Sequence, residues 1–409
     1  MSQRSVLITG ATGIMGGWVL GEALRLGYAP IALMRDADLG RARERLSSVL
    51  RLVGCDRFLD DVRIVQGDTQ ALNLGLGGRR GRELKASLEA MVHCAACTSF
   101  DPRLDKELWE TNVGGVKNVI EFLSGTDVPL YHVSTAYVAG DRTGCAYETE
   151  TDCGQQFNNT YERTKHESEL LVREAIAQGR IQAAIFRPAI IVGATEEGRI
   201  SQFLNFYSFL RLVDVISAHP SAEWRRIRIL ASPDATKNLV PVDWTAQALW
   251  AIAENEGPSG QTYHLTSPNP SVLQDVVEWA NAWLEPCRVR VELVEQYEER
   301  ASALERLINA SLRYYRPYTR GETLFDRTNT DRALGDSFSF PSMDHAHLDR
   351  MLQFARQQSW QGIFGCRPDG EESSYADRIT RFFPRLPEAS AVQGRSASAR
   401  SEDRLVAVK

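Results

Sequence analysis

Short apolar runs alternate with longer amphipathic segments through the first two thirds of the chain. We predict strands at the apolar runs, residues 5–9, 29–34, 62–66, 90–93, 129–134 and 181–187. We predict helices between them, which include residues 18–26, 39–52, 113–124 and 161–178. Strands that alternate with helices pair in parallel through right-handed crossovers, and the helices cover both faces of the sheet. The pattern therefore predicts an α/β fold with a doubly wound parallel sheet.

The alternation is interrupted from residue 194 onwards. An aromatic-rich helical stretch at residues 200–216 precedes a basic run, and the strand pattern resumes at residues 238–242. A helix from Trp244 and a last strand at residues 262–266 follow. We therefore predict a first domain of residues 1–270 with an interleaved substrate-binding insertion at about residues 194–237.

The remainder of the chain differs in composition. Helical stretches at residues 272–284 and 297–314, followed by a less regular segment, predict a smaller, mostly helical C-terminal substrate-binding region at residues 271–387. Residues 388–409 are rich in Ser, Ala, Arg and Glu. Such a segment buries too little apolar surface to fold, so we predict a disordered tail.

Composition narrows the classes of function. The 47 Lys and Arg residues against 53 Asp and Glu give a net charge of −6, which provides no broad positive field for nucleic acid. No apolar stretch is long enough for a signal peptide or a membrane span. Seven cysteines, an odd number in a long chain, argue against a disulfide framework. These features predict a cytoplasmic protein with no integral membrane segment.

Three glycines at three-residue spacing follow the first predicted strand. Glycines in such a turn let the backbone approach a pyrophosphate and place a helix N-terminus against the phosphates. We therefore predict a Rossmann-type dinucleotide site. Its residues are Gly10, Thr12, Gly13, Ile14, Met15 and Gly16.

The ends of later strands extend this site. An acidic residue after the second strand is typical of NAD binding, so Arg35 favours the 2′-phosphate of NADP(H), although Asp36 follows it. Asp68, after the third strand, either binds the adenine amine or only closes a turn. Ala95 and Ala96 are small enough to let the backbone pass close to the cofactor ribose.

Cys94 and Cys97 have the spacing of a zinc-binding pair. A zinc site needs three or four ligands, and the chain contains no second pair of this kind. We therefore predict no metal site.

A tyrosine and a lysine follow the fifth predicted strand in an order that suggests proton transfer. Tyr161 and Lys165 are four residues apart, which places them on one face of a helix. The ammonium then stabilises the phenolate and lowers the pKa of the tyrosine, which makes Tyr161 a proton donor. Thr135, at the end of the fifth strand, adds a hydroxyl that can hydrogen-bond the same substrate oxygen, and Ser134 beside it is an alternative.

Taken together, these motifs resemble the extended short-chain dehydrogenase/reductases. More narrowly, the chain is similar to the thioester reductase branch with a male-sterility-type NAD-binding domain, which includes fatty acyl-CoA reductases and the terminal reductase domains of peptide and polyketide synthases. The segments that carry the resemblance are residues 9–16, 92–101, 111–114, 132–140, 161–165, 187–193, 238–243 and 263–265.

The resemblance implies a catalytic triad of Thr135, Tyr161 and Lys165, with Lys165 also on the nicotinamide ribose. It implies that Asn112 supports a proton relay, although asparagine is also a common helix cap. It further implies that the backbone at Pro188 lies along the nicotinamide.

The implied reaction is NADPH-dependent reduction of an acyl thioester to an aldehyde, and then to an alcohol if a second hydride is used. The thioester is carried by CoA or by a carrier protein supplied in trans. Residues 203–209 line an acyl channel or form ordinary core, and Arg225, Arg226 and Arg228 either meet a pantetheine phosphate or form a solvated strand face.

Two other functions remain open. The same fold serves sugar-nucleotide epimerases and dehydratases and dehydrogenases of ketones or secondary alcohols. A non-catalytic nucleotide sensor is less consistent with the sequence, because a binding module does not require all three triad residues.

Overall fold

Seven parallel strands form the central sheet. The computed structural model describes residues 4–218 and 225–364. The strands of this sheet are β1 (Ser5–Thr9), β2 (Ala29–Met34), β3 (Arg63–Gln66), β4 (Ala90–His93), β5 (Leu130–Val133), β7 (Ala183–Pro188) and β12 (Thr262–Leu265). Their order across the sheet is β12, β7, β5, β4, β1, β2, β3. This topology confirms the predicted doubly wound, Rossmann-type fold, and the carboxyl ends of β1, β4, β5 and β7 meet at one edge.

Helices cover both faces of the sheet. The first six are α1 (Ile14–Arg25), α2 (Leu39–Leu52), α3 (Gly78–Ser87), α4 (Asp105–Leu108), α5 (Gly115–Leu123) and α6 (Thr160–Ala177). The last six are α7 (Tyr207–Ala218), α8 (Val242–Glu256), α9 (Leu273–Leu284), α10 (Ala303–Ser311), α11 (Thr328–Leu334) and α12 (His345–Gln357). A π-helical turn, Trp109–Gly114, joins α4 to α5.

Alternating strand residues divide the sheet between two apolar layers. Val6 and Ile8 of β1 pack with α1 and α8, whereas Leu7 packs on the opposite face. The buried positions of α2 are Ala42, Leu46, Val49 and Leu50, a spacing that gives one apolar stripe. Apolar strand residues at every second position and apolar helix residues at the longer helical spacing therefore pack together in these layers.

Within the described residues, eight further strands lie outside the central sheet. They are β6 (Cys145–Ala146), β8 (Ile190–Val192), β9 (Arg226–Leu230), β10 (Thr236–Lys237), β11 (Leu239–Pro241), β13 (Ser271–Val272), β14 (Arg290–Val294) and β15 (Leu324–Phe325). The predicted strand at residues 238–242 thus corresponds to β11. It pairs with β8 and does not rejoin the central sheet, which corrects the prediction.

Two predicted helices are shorter than expected. The helix expected over residues 200–216 begins only at Tyr207, after Asn205 adopts a positive φ of 53°. The helix expected over residues 297–314 is reduced to α10, and a 3₁₀ segment, Arg313–Arg320, follows. Pro317 lies within this segment, and a proline cannot donate the backbone hydrogen bond that a continuing α-helix requires.

A third apolar core lies among α7, α9, α10, α12 and the β9–β14 pair. Ile14 packs against both this core and the one beneath α1. The predicted tail at residues 388–409, and the predicted C-terminal region beyond residue 364, lie outside the described residues. No helix in the described ranges is long and apolar enough to cross a membrane.

Candidate active site

In the turn between β1 and α1, Gly10 and Gly16 pack too closely against other backbone atoms to hold side chains. Gly10 has a φ of +67°, and a Cβ built there would lie 2.7 Å from the backbone nitrogen of Ala95. A Cβ on Gly16 would lie 2.1 Å from the carbonyl oxygen of Gly10. Gly13 is the N-cap residue of α1, and no side chain caps the helix at this position. Only glycine fits this turn, and the exposed backbone N–H groups at the start of α1 suit a pyrophosphate.

The end of β4 completes the cradle. Ala95 N donates to the hydroxyl of Thr9 at 3.2 Å, which holds the loop after β4 against the glycine turn. Ala96, Ile14, Met15 and the turn glycines Gly13 and Gly16 line one common cavity. A dinucleotide is the group that the turn chemistry fits, since the backbone can approach it without a side chain between them.

The residues predicted for the adenosine end lie at the surface. Arg35 is exposed at the end of β2. Arg45 of α2 reaches the same place: its guanidinium donates to Asp36 at 3.0 Å and to the Thr12 hydroxyl at 3.3 Å. Asp68 accepts from the backbone of Gln70 at 2.9 Å, so its carboxylate also closes a turn.

Thr135, Tyr161 and Lys165 line the same cavity as the glycine turn. Thr135 donates to the carbonyl of Pro188 at 3.3 Å and is hydrogen-bonded to Tyr161. Lys165 donates to the carbonyl of Val133 at 2.8 Å. Three elements, the end of β5, the end of β7 and the first turn of α6, therefore bring these groups together.

The electrostatics differ from the sequence prediction in one respect. Burial raises the pKa of Tyr161 to about 12, and the hydrogen bond with Thr135 only partly offsets it. The ammonium of Lys165 points to the Val133 carbonyl, and burial lowers the pKa of Lys165 to about 8. Desolvation of the phenol is therefore the largest influence on the pKa of Tyr161, and Lys165 is not among the groups that lower it in this arrangement.

Ser134 and Thr135 have different partners. Ser134 donates to Glu169 at 2.8 Å, and Glu169 forms a buried ion pair with Arg187 at 2.6 Å. Burial alone would raise the pKa of Glu169, but Arg187 and the other hydrogen-bond donors lower it to about 2. Both hydroxyls therefore donate to protein acceptors, Ser134 to this carboxylate at 2.8 Å and Thr135 to the Pro188 carbonyl at the longer distance of 3.3 Å.

Asn112 lies inside the π-helical turn and is not a helix cap. Its side chain donates to the Cys97 carbonyl and to Thr164, both at 3.0 Å, and accepts from Cys97 N at 2.8 Å. The side chain thus ties the loop after β4 to the catalytic helix α6. This is a positioning contact, and it leaves the amide no further donor for a relay.

A large apolar chamber continues from the triad. The whole cavity has a volume of about 360 Å³. Phe206 and Phe209 line it as predicted, whereas Phe203 packs against Tyr207 and Trp360 in the core. Its wall near Tyr161 contains four further rings, those of Phe100, Tyr137, Tyr315 and Tyr318.

The segment 313–325 closes one side of this chamber, and we refer to it as the strap. Tyr318 of the strap donates to Glu162, next to Tyr161, and accepts from Asn159 at 2.7 Å. Glu322 accepts from Lys237 at 2.8 Å and from Tyr137 at 3.1 Å. The strap is therefore bound both to the start of α6 and to Lys237 and Tyr137 of the chamber wall.

The predicted arginine cluster is only partly available. Arg228 forms a bidentate pair with Glu305 of α10, with distances of 2.7 and 2.9 Å, and is therefore not free to bind a substrate phosphate. Arg226 lies at the surface and pairs with Glu292 at 2.7 Å. Arg225 is exposed, at the edge of the described residues. No group of His, Cys, Asp or Glu in the described ranges is arranged to hold a metal.

The sequence interpretation missed several residues of the site. Glu169 lies one helical turn beyond Lys165, and this i,i+4 spacing is a signal that could have identified it. Lys237 and Glu322 meet across 85 positions of sequence, and no local pattern announces such a pair. Tyr318 belongs to an irregular segment, so no helical or strand periodicity predicts where its side chain lies.

Comparisons with known proteins agree with this geometry. Residues 8–249 match the NAD-binding domain of the family described as male sterility protein. A nonribosomal peptide synthetase, asaC from Aspergillus flavus, is 30% identical over 289 residues, which are 67% of this chain and 27% of that protein. The chain thus spans about a quarter of the length of this curated relative.

Solved structures show the same fold. The terminal R domain of the myxalamid PKS-NRPS pathway superposes with a TM-score of 0.73 at 22% identity, covering 88% of this chain and 92% of that one. A thiolation-reductase di-domain from an archaeal nonribosomal peptide synthetase gives a TM-score of 0.71 at 17% identity, with 88% and 76% covered. At these identities the likeness shows the fold and not the reaction.

Proposed function

The chain belongs to the male sterility protein family, a branch of the extended short-chain dehydrogenases/reductases, which are NAD(P)-dependent oxidoreductases. On this premise we propose that it reduces acyl thioesters. One observation carries the proposal. A single cavity is lined by the glycine turn and by Thr135, Tyr161 and Lys165, and it includes the apolar chamber. A thioester carbonyl in this cavity would lie between a nicotinamide site and a proton donor.

Each group of the triad has a chemical task. A bound reduced nicotinamide supplies the hydride that the thioester carbon accepts. Tyr161 donates its phenolic proton to the carbonyl oxygen, and Thr135 hydrogen-bonds this oxygen as negative charge develops. The resulting hemithioacetal loses its hydroxyl proton and the leaving sulfur gains a proton as the carbon–sulfur bond breaks, so that the products are a thiol and an aldehyde.

Lys165 and its surroundings support the proton transfer. Its ammonium is held at the end of β5 by the Val133 carbonyl, close to the start of α6, and stabilises the phenolate that remains after the proton has left. Glu169, one turn further along α6, accepts from Arg187 at 2.6 Å and from Arg173 at 3.0 Å. The pair with Arg187 fixes the position of α6 against β7.

The preferred cofactor in this proposal is NADPH. The turn residues Gly10, Thr12, Gly13, Ile14, Met15 and Gly16 would hold the pyrophosphate, and Ala95, Ala96 and Pro188 would flank the nicotinamide riboside. Arg35 and Arg45 provide two cations at the end of β2, where a ribose 2′-phosphate would lie. Asp68 is a hydrogen-bond acceptor for adenine in this assignment.

The acyl group arrives on a thiol carrier. The likeness to reductase domains of peptide synthetases, one of them joined to a thiolation domain, supports a carrier-protein thioester, and CoA remains the other carrier to be tested. In either case the acid must be activated as a thioester before it is reduced. Reduction of the aldehyde to an alcohol would require a second round with fresh cofactor.

The test follows NADPH oxidation with CoA and carrier-protein thioesters, and identifies the aldehyde and alcohol formed. We expect Tyr161→Phe to reduce kcat by about two to four orders of magnitude, because general acid catalysis contributes that much. NADPH affinity should change little, since the substitution removes only a hydroxyl. Tyr147→Phe, at an exposed tyrosine, is the matched control.

Three results would contradict the proposal. The first is turnover of ketones or sugar nucleotides with no activity on thioesters. The second is tightly bound NAD that is not consumed, as in an epimerase. The third is an active Tyr161→Phe variant, which would remove the assigned proton donor.

A further inference from the structure

Tyr318 of the strap is a second phenol beside the proposed proton donor. Its ring stacks on Phe100 with ring centroids 5.9 Å apart, and the ring of Tyr161 lies against the same Phe100, also at 5.9 Å. Tyr318 and Tyr161 both line the cavity. Because the sulfur of a thioester is bonded to its carbonyl carbon, a carbonyl held at Tyr161 brings the sulfur into the same part of the cavity as this second phenol.

Several contacts fix the position of Tyr318. Its backbone carbonyl accepts from the ammonium of Lys237, and its ring meets the ring of Tyr137 edge-on at 5.6 Å. Its hydroxyl accepts from the side chain of Asn159, the N-cap residue of α6, at 2.7 Å. The same hydroxyl is hydrogen-bonded to the carboxyl group of Glu162 in the first turn of α6. The phenol thus connects the cavity to a carboxyl group at the start of the catalytic helix.

Glu162 is a buried carboxyl group without a cationic partner in the described ranges. It is 0% exposed. Its oxygens contact only neutral donors there: Tyr318, and the backbone and side-chain nitrogens of Asn158 at 2.8 to 3.3 Å. Burial raises the pKa of Glu162, and these hydrogen bonds offset the effect only in part. Glu162 is therefore suited to hold a proton, unlike Glu322 and Glu169, which are paired with a lysine and an arginine.

Two neighbouring phenols of the same wall lack such a proton source. Tyr137 donates to Glu322 at 3.1 Å, but Glu322 is also in a buried ion pair and so stays ionised. Tyr315 contacts the amide oxygen of Asn205 at 3.5 Å, an acceptor that carries no proton. Of these three phenols, Tyr318 is therefore the one that is backed by a protonatable carboxyl group.

We propose that Tyr318 and Glu162 form a second acid, which protonates the sulfur atom of the leaving group when the thioester is reduced. The proposal rests on the proposed thioester reduction and adds a catalytic residue to it. Tyr161 serves the carbonyl oxygen, and Tyr318 serves the sulfur. A thiolate that left without a proton would be an unsolvated charge in a largely apolar chamber, which is costly.

The proton transfers balance over one turnover. The hemithioacetal returns its hydroxyl proton to the Tyr161 phenolate, and the electron pair of the O–H bond forms the aldehyde C=O bond. The electron pair of the C–S bond leaves on sulfur, which takes the phenolic proton of Tyr318 while Tyr318 takes the proton of Glu162. Glu162 is then a carboxylate that accepts from Tyr318, as in the structure. It regains a proton from solvent beside the exposed Asn158, and this is the one proton that each thioester reduction consumes.

The first experiment compares leaving groups in single turnovers, with NADPH oxidation and thiol release measured in the same quenched samples. With the N-acetylcysteamine thioester of octanoic acid, we expect Tyr318→Phe to slow thiol release about hundredfold, the lower end of what a general acid contributes. With the thiophenyl ester of the same acid, thiol release should stay close to the native rate, because an aryl thiolate is a weaker base and leaves without a proton. Glu162→Gln, which keeps the shape of the side chain but has no acidic proton, should show the same selective loss.

Tyr315→Phe is the matched control. Tyr315 also packs against Phe100 in the cavity wall, at 5.6 Å, but its hydroxyl has no carboxyl partner. This variant should keep the native ratio of alkyl to aryl thioester turnover. Equal losses for both leaving groups in Tyr318→Phe would mean that the phenol only holds the strap in place, and would overturn the inference, as would native rates with both esters.

An infrared measurement tests the proton on Glu162 without turnover. The difference spectrum between native protein and Glu162→Gln, both with NADP⁺ at neutral pH, should contain the carbonyl band of a protonated carboxylic acid. Absence of this band would refute the inference whatever the kinetic result. If native protein releases thiol from neither ester, the proposed function is refuted and the second acid with it, whereas native turnover without the selective loss refutes the second acid alone.

Discussion

The proposed preference for NADPH rests on a few charged side chains at the end of β2. Arg35 was expected there from the sequence, but the structure adds Arg45, which is linked to both Asp36 and the turn residue Thr12. Asp36 opposes a 2′-phosphate by charge, and its ion pair with Arg45 neutralises this effect. The two arginines together therefore favour a phosphate more than Arg35 alone would.

We predict that Arg45→Ala weakens NADPH binding by about ten- to a hundredfold, which is about 1.4–2.7 kcal/mol, as expected for the loss of a charge-assisted hydrogen bond. NADH binding should change much less, because NADH lacks the 2′-phosphate. Arg35→Ala should behave in the same direction. Titration of both cofactors by fluorescence measures the effect, with Arg51→Ala at the far end of α2 as the control. Equal losses for NADPH and NADH would leave no role in phosphate recognition.

At the scale of an element, the β1–α1 turn combines a conformational and a steric requirement. Gly10 needs a positive φ and also lies against the backbone of Ala95, whereas Gly27 has a φ of +78° with no atom within 4 Å of its built Cβ. Gly27→Ala should therefore lose only about 1–2 kcal/mol of stability, the cost of the left-handed conformation. Gly10→Ala should lose more, and should also weaken cofactor binding. Urea unfolding and NADPH titration test both. Similar losses of stability in the two variants would show that contact with Ala95 is unimportant.

The β1–α1 turn is also an example of an element that can be predicted from the sequence. Its glycines, the strand before it and α2 with its spaced apolar positions were predictable, because each depends on residues close together in the chain. The β8–β11 pair, the strap and the Lys237–Glu322 contact were not. They depend on where distant segments meet, and Asn205, with its positive φ, locally interrupts the helical pattern expected over residues 200–216. The sequence thus grouped Thr135, Tyr161 and Lys165, which line one cavity, but did not identify the strap residues that line its wall.

At the scale of the whole molecule, the glycine turn and the core of the C-terminal region do not pack independently of each other. Ile14 of the nucleotide turn packs against the core beneath α1 and against the core of the C-terminal region. The helix α12 is held from the other direction, by His347 against the Gly193 carbonyl at 3.1 Å and by Arg350 against the Thr195 carbonyl at 2.9 Å. The segment after β8 is thereby fixed to the C-terminal core. Cofactor binding should consequently stabilise both parts.

We predict that the described parts unfold in one cooperative transition. Met351→Ala, at a fully buried position of α12, should lower the free energy of unfolding by about 2–5 kcal/mol and move the far-UV circular dichroism and tryptophan fluorescence transitions together. Saturating NADP⁺, at about 100 times its Kd, should return about 2.7 kcal/mol in both signals. Gln353→Ala, on the exposed face of the same helix, should change stability by no more than about 0.5 kcal/mol. Separate transitions, with NADP⁺ shifting only one of them, would mean that the contacts of Ile14 and α12 do not couple the two cores.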